Sequence, residues 1–310
     1  QRTLFEVFRE HNDKCAQLSG TDMAPATVQR YETSLKHTRD FVWETYHKKD
    51  VLLDEVSRQF IEDYEFWLKT EKKCCHNTAT KYLKNFKKII RIALAKGWMK
   101  NDPFLEIRFS LDKVEPDFLE DSEIQKLISK EIDIPRLSQV RDIFVFCCFT
   151  GLAFSDIHGL RKEHIVEDSN GVRWIRKGRQ KTKIMCNIPL MEIPLKILEK
   201  YSTNEYCKKH GVLFPVLCNQ KMNAYLKELA DICGIKKTLT THVARHTFAT
   251  FALANGVSIE SVAKMLGHTN VQMTRHYARV LDRTVIREMS QIKMDFHFPF
   301  NKDDSSVIVE

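Results

Sequence analysis

The sequence predicts a mainly α-helical protein with one small β-sheet, built as two domains. Three observations lead there. Apolar residues recur at helical spacing through roughly the first hundred positions, where Gly and Pro are scarce. Asn101-Asp102-Pro103 and the charged stretch behind it then break the pattern. The one clear strand-like alternation is confined to positions 172–190. At 310 residues the chain is long enough for two cores.

The elements follow in order. Thr3 is a candidate cap for a first helix carrying Leu4, Phe5, Val7 and Phe8. Pro25 sits near the start of a second, through Val28, Tyr31, Leu35 and Phe41. Ser57 is a candidate cap for a third, with Phe60, Ile61, Tyr64, Phe66 and Trp67. A fourth runs from about Asn77 to Lys96 and ends near Gly97. This gives a helical domain over 1–107 and a linker over 108–118. A second domain over 119–290 opens with Leu119, followed by Glu120, Asp121 and Glu123, acids that suit a helix N-terminus. A helix over Ser138 to Phe149, nearly all apolar at its end, is the expected centre of that domain. Val172-Arg-Trp-Ile-Arg and Ile184 to Pro189 supply the sheet. Helices resume at Ile193–Tyr201, at Met222–Cys233, and from His242 onward. The tail, 291–310, is apolar yet irregular, and packing on a neighbouring protomer is expected of it.

Composition narrows the class. A hydrophobic fraction of 43% with 29% charged residues is that of an ordinary globular protein, not a disordered one. Nine cysteines, an odd number, include two adjacent pairs but no CxxC. That argues against a disulfide framework or a zinc site and for reduced thiols in a cytosol. The apolar run Ile143–Phe149 is too short to span a membrane and no signal peptide is visible, so an intracellular protein is expected.

Net charge is +8, but its distribution says more. Between Lys69 and Lys100 stand ten Lys or Arg against one acid, Glu71. Lys81, Lys84, Lys88 and Arg91 recur at three- and four-residue steps, while Tyr82, Phe86, Ile89, Ile90 and Ala93 form an apolar stripe. One helix thus packs into a core and turns a cationic face outward, as a helix does to dock on phosphates.

The most specific pattern lies near the end: His242-Val-Ala-Arg245, then Leu266-Gly267-His268, then Tyr277 nine residues on. Positions i and i+3 share a helix face, so His242 and Arg245 can present an imidazole and a guanidinium to one anion. Two histidines, an arginine and a tyrosine without paired carboxylates suit a tyrosine nucleophile attacking a phosphodiester. In this order the residues resemble the tyrosine recombinase (phage integrase) family.

The resemblance covers nearly the whole chain. It implies a helical core-binding domain and a mixed α/β catalytic domain that close as a clamp around duplex DNA. The family pattern has a first arginine, a hairpin lysine, HxxR, a His or Trp, and the tyrosine. Lys181, in Arg179-Gln-Lys-Thr-Lys183, looks like the hairpin lysine; His242, Arg245, His268 and Tyr277 match the rest. The first arginine departs: where the family usually reads Thr-Gly-Leu-Arg, this chain has Thr150-Gly151-Leu152-Ala153. That departure resembles the integrases of Bacteroides conjugative transposons. Arg179, two residues from Lys181 and on the same face if both lie on a strand, is the favoured replacement. Arg141 is the second, and no replacement is the third. Asp156 resembles the family's acid and is expected to hold a cation or histidine in place. Arg161 reads as solvated or as a DNA-backbone contact.

The resemblance implies recombination through a 3′-phosphotyrosine, by an integrase of a mobile element. No cofactor is expected: the sequence has no P-loop and no carboxylate cluster of the two-metal kind. Implied partners are double-stranded DNA attachment sites and a homo-tetramer on DNA, with a host DNA-bending protein left open and no membrane. The implied location is the cytoplasm of a bacterium, at the nucleoid. Because the chain opens at Gln1, close to a helix start, a fragment lacking an N-terminal arm-binding domain is expected. An invertase, a transposase or a type IB topoisomerase would use the same chemistry, and a DNA-binding relative with impaired catalysis is the alternative from another class.

Overall fold

Helix α1 (Leu4–Gln17) begins at Thr3, but the closing bond is not the threonine's own. The Glu6 carboxylate accepts from the Thr3 backbone N–H at 3.0 Å. Pro25 occupies the first turn of α2 (Pro25–Tyr46), and Ser57 Oγ accepts from Phe60 N at 3.3 Å to start α3 (Arg58–Thr70). α4 (His76–Ala95) buries Leu83, Phe86, Ile89, Ile90 and Ala93. Its Lys81, Lys84, Lys88 and Arg91 lie on the opposite side, and all four are exposed. Lys88 Nζ donates to the Tyr31 hydroxyl at 2.9 Å. The core between these helices is aromatic: Phe41, Tyr64 and Phe86 are fully buried, with Phe41 and Tyr64 ring centroids 4.9 Å apart.

This computed structural model describes residues 2–277 and 289–290. The chain divides into two units, Gln1–Val114 and Glu115–Glu310. The division falls inside the stretch read as a linker, whose first half is not loose. Asn77 at the start of α4 donates to Asp112 O (2.9 Å) and accepts from Asp112 N (2.8 Å).

The second unit is organised around α6 (Pro135–Thr150), which packs against α8 (Glu192–Tyr201), α10 (Asn219–Ile232) and α11 (Thr241–Ala254). α6 starts three residues before the expected Ser138 because Pro135 supplies its first turn. It ends at Gly151, whose φ of 67° turns the chain and whose missing Cβ is required: one there would stand 2.4 Å from Phe248. α5 (Asp121–Ser129) precedes it. A short α7 (Phe154–His158) follows and leads to an antiparallel sheet of order β1-β2-β3 (Ile165–Glu167, Arg173–Gly178, Met185–Pro189). Lys177 pairs with Cys186 across β2 and β3. α9 (Glu205–His210) precedes α10. After α11, the chain turns at Asn255-Gly256 into α12 (Ile259–Leu266) and at Gly267 into α13 (Gln272–Arg275). β1, α7 and α9 were not anticipated; with three to six residues each they are too short to show periodicity. The tail over 291–310 lies outside the described residues. No helix among the described residues is long and apolar enough to cross a membrane.

Candidate active site

Arg245 is the anchor of the site. It is 3% exposed and has no carboxylate within ion-pair distance among the described residues. Instead its Nη1 donates to Gly151 O and its Nη2 to Leu266 O, both at 2.6 Å. These carbonyls belong to the C-terminal ends of α6 and α12, where the helix dipoles are negative and favour a cation. The two glycine turns, at 151 and 267, are therefore what exposes the carbonyls that hold Arg245.

His268 lies next. Its Nε2 is 3.1 Å from Arg245 Nη2, which can only donate, so Nε2 must be the unprotonated nitrogen. Nδ1 therefore carries the hydrogen and donates to Thr274 Oγ1 at 2.8 Å. Desolvation, then the Arg245 and Arg179 charges, push the His268 pKa down to about 4. Its neutral form is thus fixed in one tautomer, with its one lone pair accepting from Arg245.

Tyr277 is 8% exposed, with its ring parallel to that of His268 at 6.1 Å between centroids. His246 meets the same tyrosine ring at 5.0 Å and the His242 ring at 4.3 Å. His242 stands in the first turn of α11, on the exposed side of the helix start. Its pKa is lowered by desolvation and by the charges of Arg245 and Arg179.

The departure at Ala153 is where structure corrects expectation. Arg179 is close enough to this cluster to depress both histidines, but it does not share a face with Lys181. β2 ends at Gly178 and residues 180–182 form a turn, closed by Arg179 N to Ile184 O and Lys183 N to Arg179 O, both 2.9 Å. Arg179 continues the inward phase of Ile175 and Lys177 instead, with its side chain only 12% exposed. Its stem crosses Gly267, where an added Cβ would lie 2.7 Å from Arg179 Cδ. Asp156, on α7, accepts from Arg179 Nε at 3.3 Å and from Gln180 N at 2.9 Å. Lys177 grips the same segment, donating to Gly159 O at 2.9 Å.

Lys181 is exposed at the tip of the turn, and no contact among the described residues ties it to the cluster. Arg141 is committed elsewhere: it donates to Lys130 O and to Asp142, a carboxylate that also receives Lys200 and Tyr201. With its guanidinium engaged there, Arg141 makes no hydrogen bond or ion pair with His242, His268, Arg245 or Tyr277 among the described residues, and Arg179 stays the favoured candidate. Arg161 is solvent-exposed. Sequence reasoning missed His246 and Thr274. The helical step of four from His242 was a usable signal for His246; nothing local marks Thr274.

The chain matches known proteins over both of its units. A family model described as the phage integrase SAM-like domain matches residues 3–111, and one described as the phage integrase family matches residues 117–284. A tyrosine recombinase of Pseudothermotoga lettingae is 29% identical over 265 residues, covering 83% of this chain and 88% of that protein. The tyrosine recombinase XerD of Shewanella oneidensis is 24% identical over 285 residues, covering 88% and 92%. Among solved structures, a lambda integrase (75-356) dimer bound to a COC′ core site superposes with a TM-score of 0.72 at 18% identity, covering 91% of this chain and 97% of that one. The Tn1549 transposon integrase in complex with circular intermediate DNA gives 0.70 at 18%, covering 93% and 99%. The two family models between them take in both units, and on that evidence the chain belongs to the phage integrase family, the tyrosine-type site-specific recombinases.

Proposed function

We propose that this recombinase is the integrase of a mobile genetic element, with Tyr277 as nucleophile and Arg179 standing in for the arginine absent at Ala153. The observation that carries this reading is the convergence of Tyr277, His268, Arg245 and Arg179 around Gly267. The phenol oxygen attacks the scissile phosphorus, the P–O5′ bond breaks, and a 3′-phosphotyrosine forms. Arg245 and Arg179 stabilise the non-bridging oxygens of the transition state. Neutral His242 supplies a lone pair for the proton that a phenol must lose to attack, while His268, accepting from Arg245 at Nε2, holds that guanidinium beside the tyrosine. Lys181, carried on the exposed turn, protonates the departing 5′ oxygen. A second strand's 5′ hydroxyl reverses the step. Asp156 keeps Arg179 in register.

The outward row of Lys81, Lys84, Lys88 and Arg91 supports binding of duplex DNA through its backbone. The partners of this reading are double-stranded attachment sites and three further copies of the chain, in a bacterial cytoplasm, with a host bending protein as an optional accessory. The alanine at position 153 favours one competing reading, a DNA-binding relative that no longer cuts. Covalent trapping decides between them: nicked duplex suicide substrates, no added metal, and denaturing gels. An adduct lost in Tyr277→Phe supports the recombinase; tight binding without an adduct on any substrate leaves the relic.

A further inference from the structure

His246 is buried and belongs to none of the residue roles assigned above. It follows His242 by one helical turn on α11, so both rings stand on one face. Its ring meets His242 nearly edge-on, at 81° and 4.3 Å, and meets Tyr277 at 47° and 5.0 Å. Tyr277 comes from a different segment, just past α13, and its ring lies parallel to that of His268 at 6.1 Å. His246 is thus the side chain that links the ring of His242 on the catalytic helix to the ring of the tyrosine.

We infer that His246 is a positioning residue for Tyr277: its ring, more than its nitrogens, sets the stance from which the phenol attacks. This rests on Tyr277 being the nucleophile. The phenol pivots about its own side-chain torsions, and a ring at 5.0 Å limits that pivot. Misplacement of a reacting atom by about 1 Å costs on the order of 100-fold in rate. A flat aromatic replacement preserves the limit; a small residue removes it.

The test uses the full chain on nicked suicide duplexes, measuring single-turnover adduct formation, DNA affinity and thermal stability for His246→Phe and His246→Ala. Loss of nucleophile placement predicts that His246→Ala forms adduct roughly 10- to 100-fold more slowly with DNA affinity unchanged. His246→Phe is expected within about threefold of wild type, since the ring contact survives. A substrate with sulfur in place of the bridging 5′ oxygen separates this from leaving-group chemistry. A thiolate departs without a proton, so a lost general acid is rescued by sulfur, while a misplaced nucleophile is not. Three results overturn the inference: wild-type cleavage by His246→Ala, a Phe variant as slow as Ala, or rescue of Ala by the sulfur substrate. If His246→Ala does not fold, the Phe variant and its sulfur response still decide. An adduct that persists in Tyr277→Phe would instead sink the reading of the site itself.

Discussion

Replacing Arg179 by alanine probes both the fold and the chemistry of the hairpin. The guanidinium is 12% exposed and its partner Asp156 only 2%, with Nε 3.3 Å from Oδ2. Removing it strands a buried carboxylate, which among the described residues keeps the Gln180 N–H at 2.9 Å. Breaking a buried pair costs about 3–5 kcal/mol, and the surviving bond places this case near the lower end, about 3 kcal/mol. For a domain of this size each kcal/mol moves Tm by about 2–4 °C, so a fall of roughly 6–12 °C is expected. Loss of one preorganised donor to the reacting phosphate costs a further factor of about 100–1000 in rate. The double variant Arg179→Ala, Asp156→Asn removes the stranded charge. It should recover most of the Tm and none of the rate, which separates the two effects. The assay is single-turnover adduct formation well below the melting transition, with calorimetry alongside. Wild-type cleavage by folded Arg179→Ala would refute the reasoning, because the phosphate would then not depend on this guanidinium.

Gly267→Ala puts a Cβ 2.7 Å from Arg179 Cδ and 2.8 Å from Cys186 Sγ, at a φ of 60°; overpacking alone costs about 1–3 kcal/mol, and cleavage should fall with Tm. Thr274→Val removes the acceptor for the His268 Nδ1–H, so 15N NMR should show the imidazole losing its single tautomer while adduct formation slows about tenfold. The His268 pKa, down at about 4 against 6.5 unfolded, makes the unfolded chain the better proton binder between those values. Stability should therefore fall as pH drops from 6.5 towards 4 and level off below, and a His268→Asn variant should lose less Tm over that window. Lys81→Ala, Lys84→Ala and Arg91→Ala together should lower DNA affinity at all sequences and flatten the slope of log K against log salt by up to about 0.9 for each phosphate no longer neutralised; an unchanged slope would place the DNA elsewhere.

Most of the helices were legible because each obeys one local rule at a time. Pro25, Ser57 and Gly97 mark boundaries, and α4 shows its buried and cationic faces in its spacing alone. The pair Asp156 and Arg179 was also within reach, since both lie in short motifs. What failed was the phase of the hairpin: Arg179 and Lys181 are two apart, but the strand stops at Gly178 and a turn separates them. The end of a strand depends on which carbonyl accepts which N–H across the sheet, and that is not written in the residue types. Thr274 was invisible for a related reason, and His246 showed only as a helical step of four from His242, with nothing to mark its meeting with Tyr277. Each matters through a ring or hydroxyl that meets another part of the chain.

The two arginines of this site are held in opposite ways, and that bears on how such a site can evolve. Arg179 reaches its place from a turn and is tethered by one carboxylate on α7; any backbone address that delivers a guanidinium to Asp156 could do the same, so the role is portable. Arg245 joins carbonyls 94 and 21 residues away, stitching the ends of α6 and α12 through a single planar group. A lysine, with one point-like ammonium, lacks the fork that spans both. On the proposed reading, a lineage can lose the first arginine and regain it elsewhere, whereas losing Arg245 would also unseat the ends of two helices in one step.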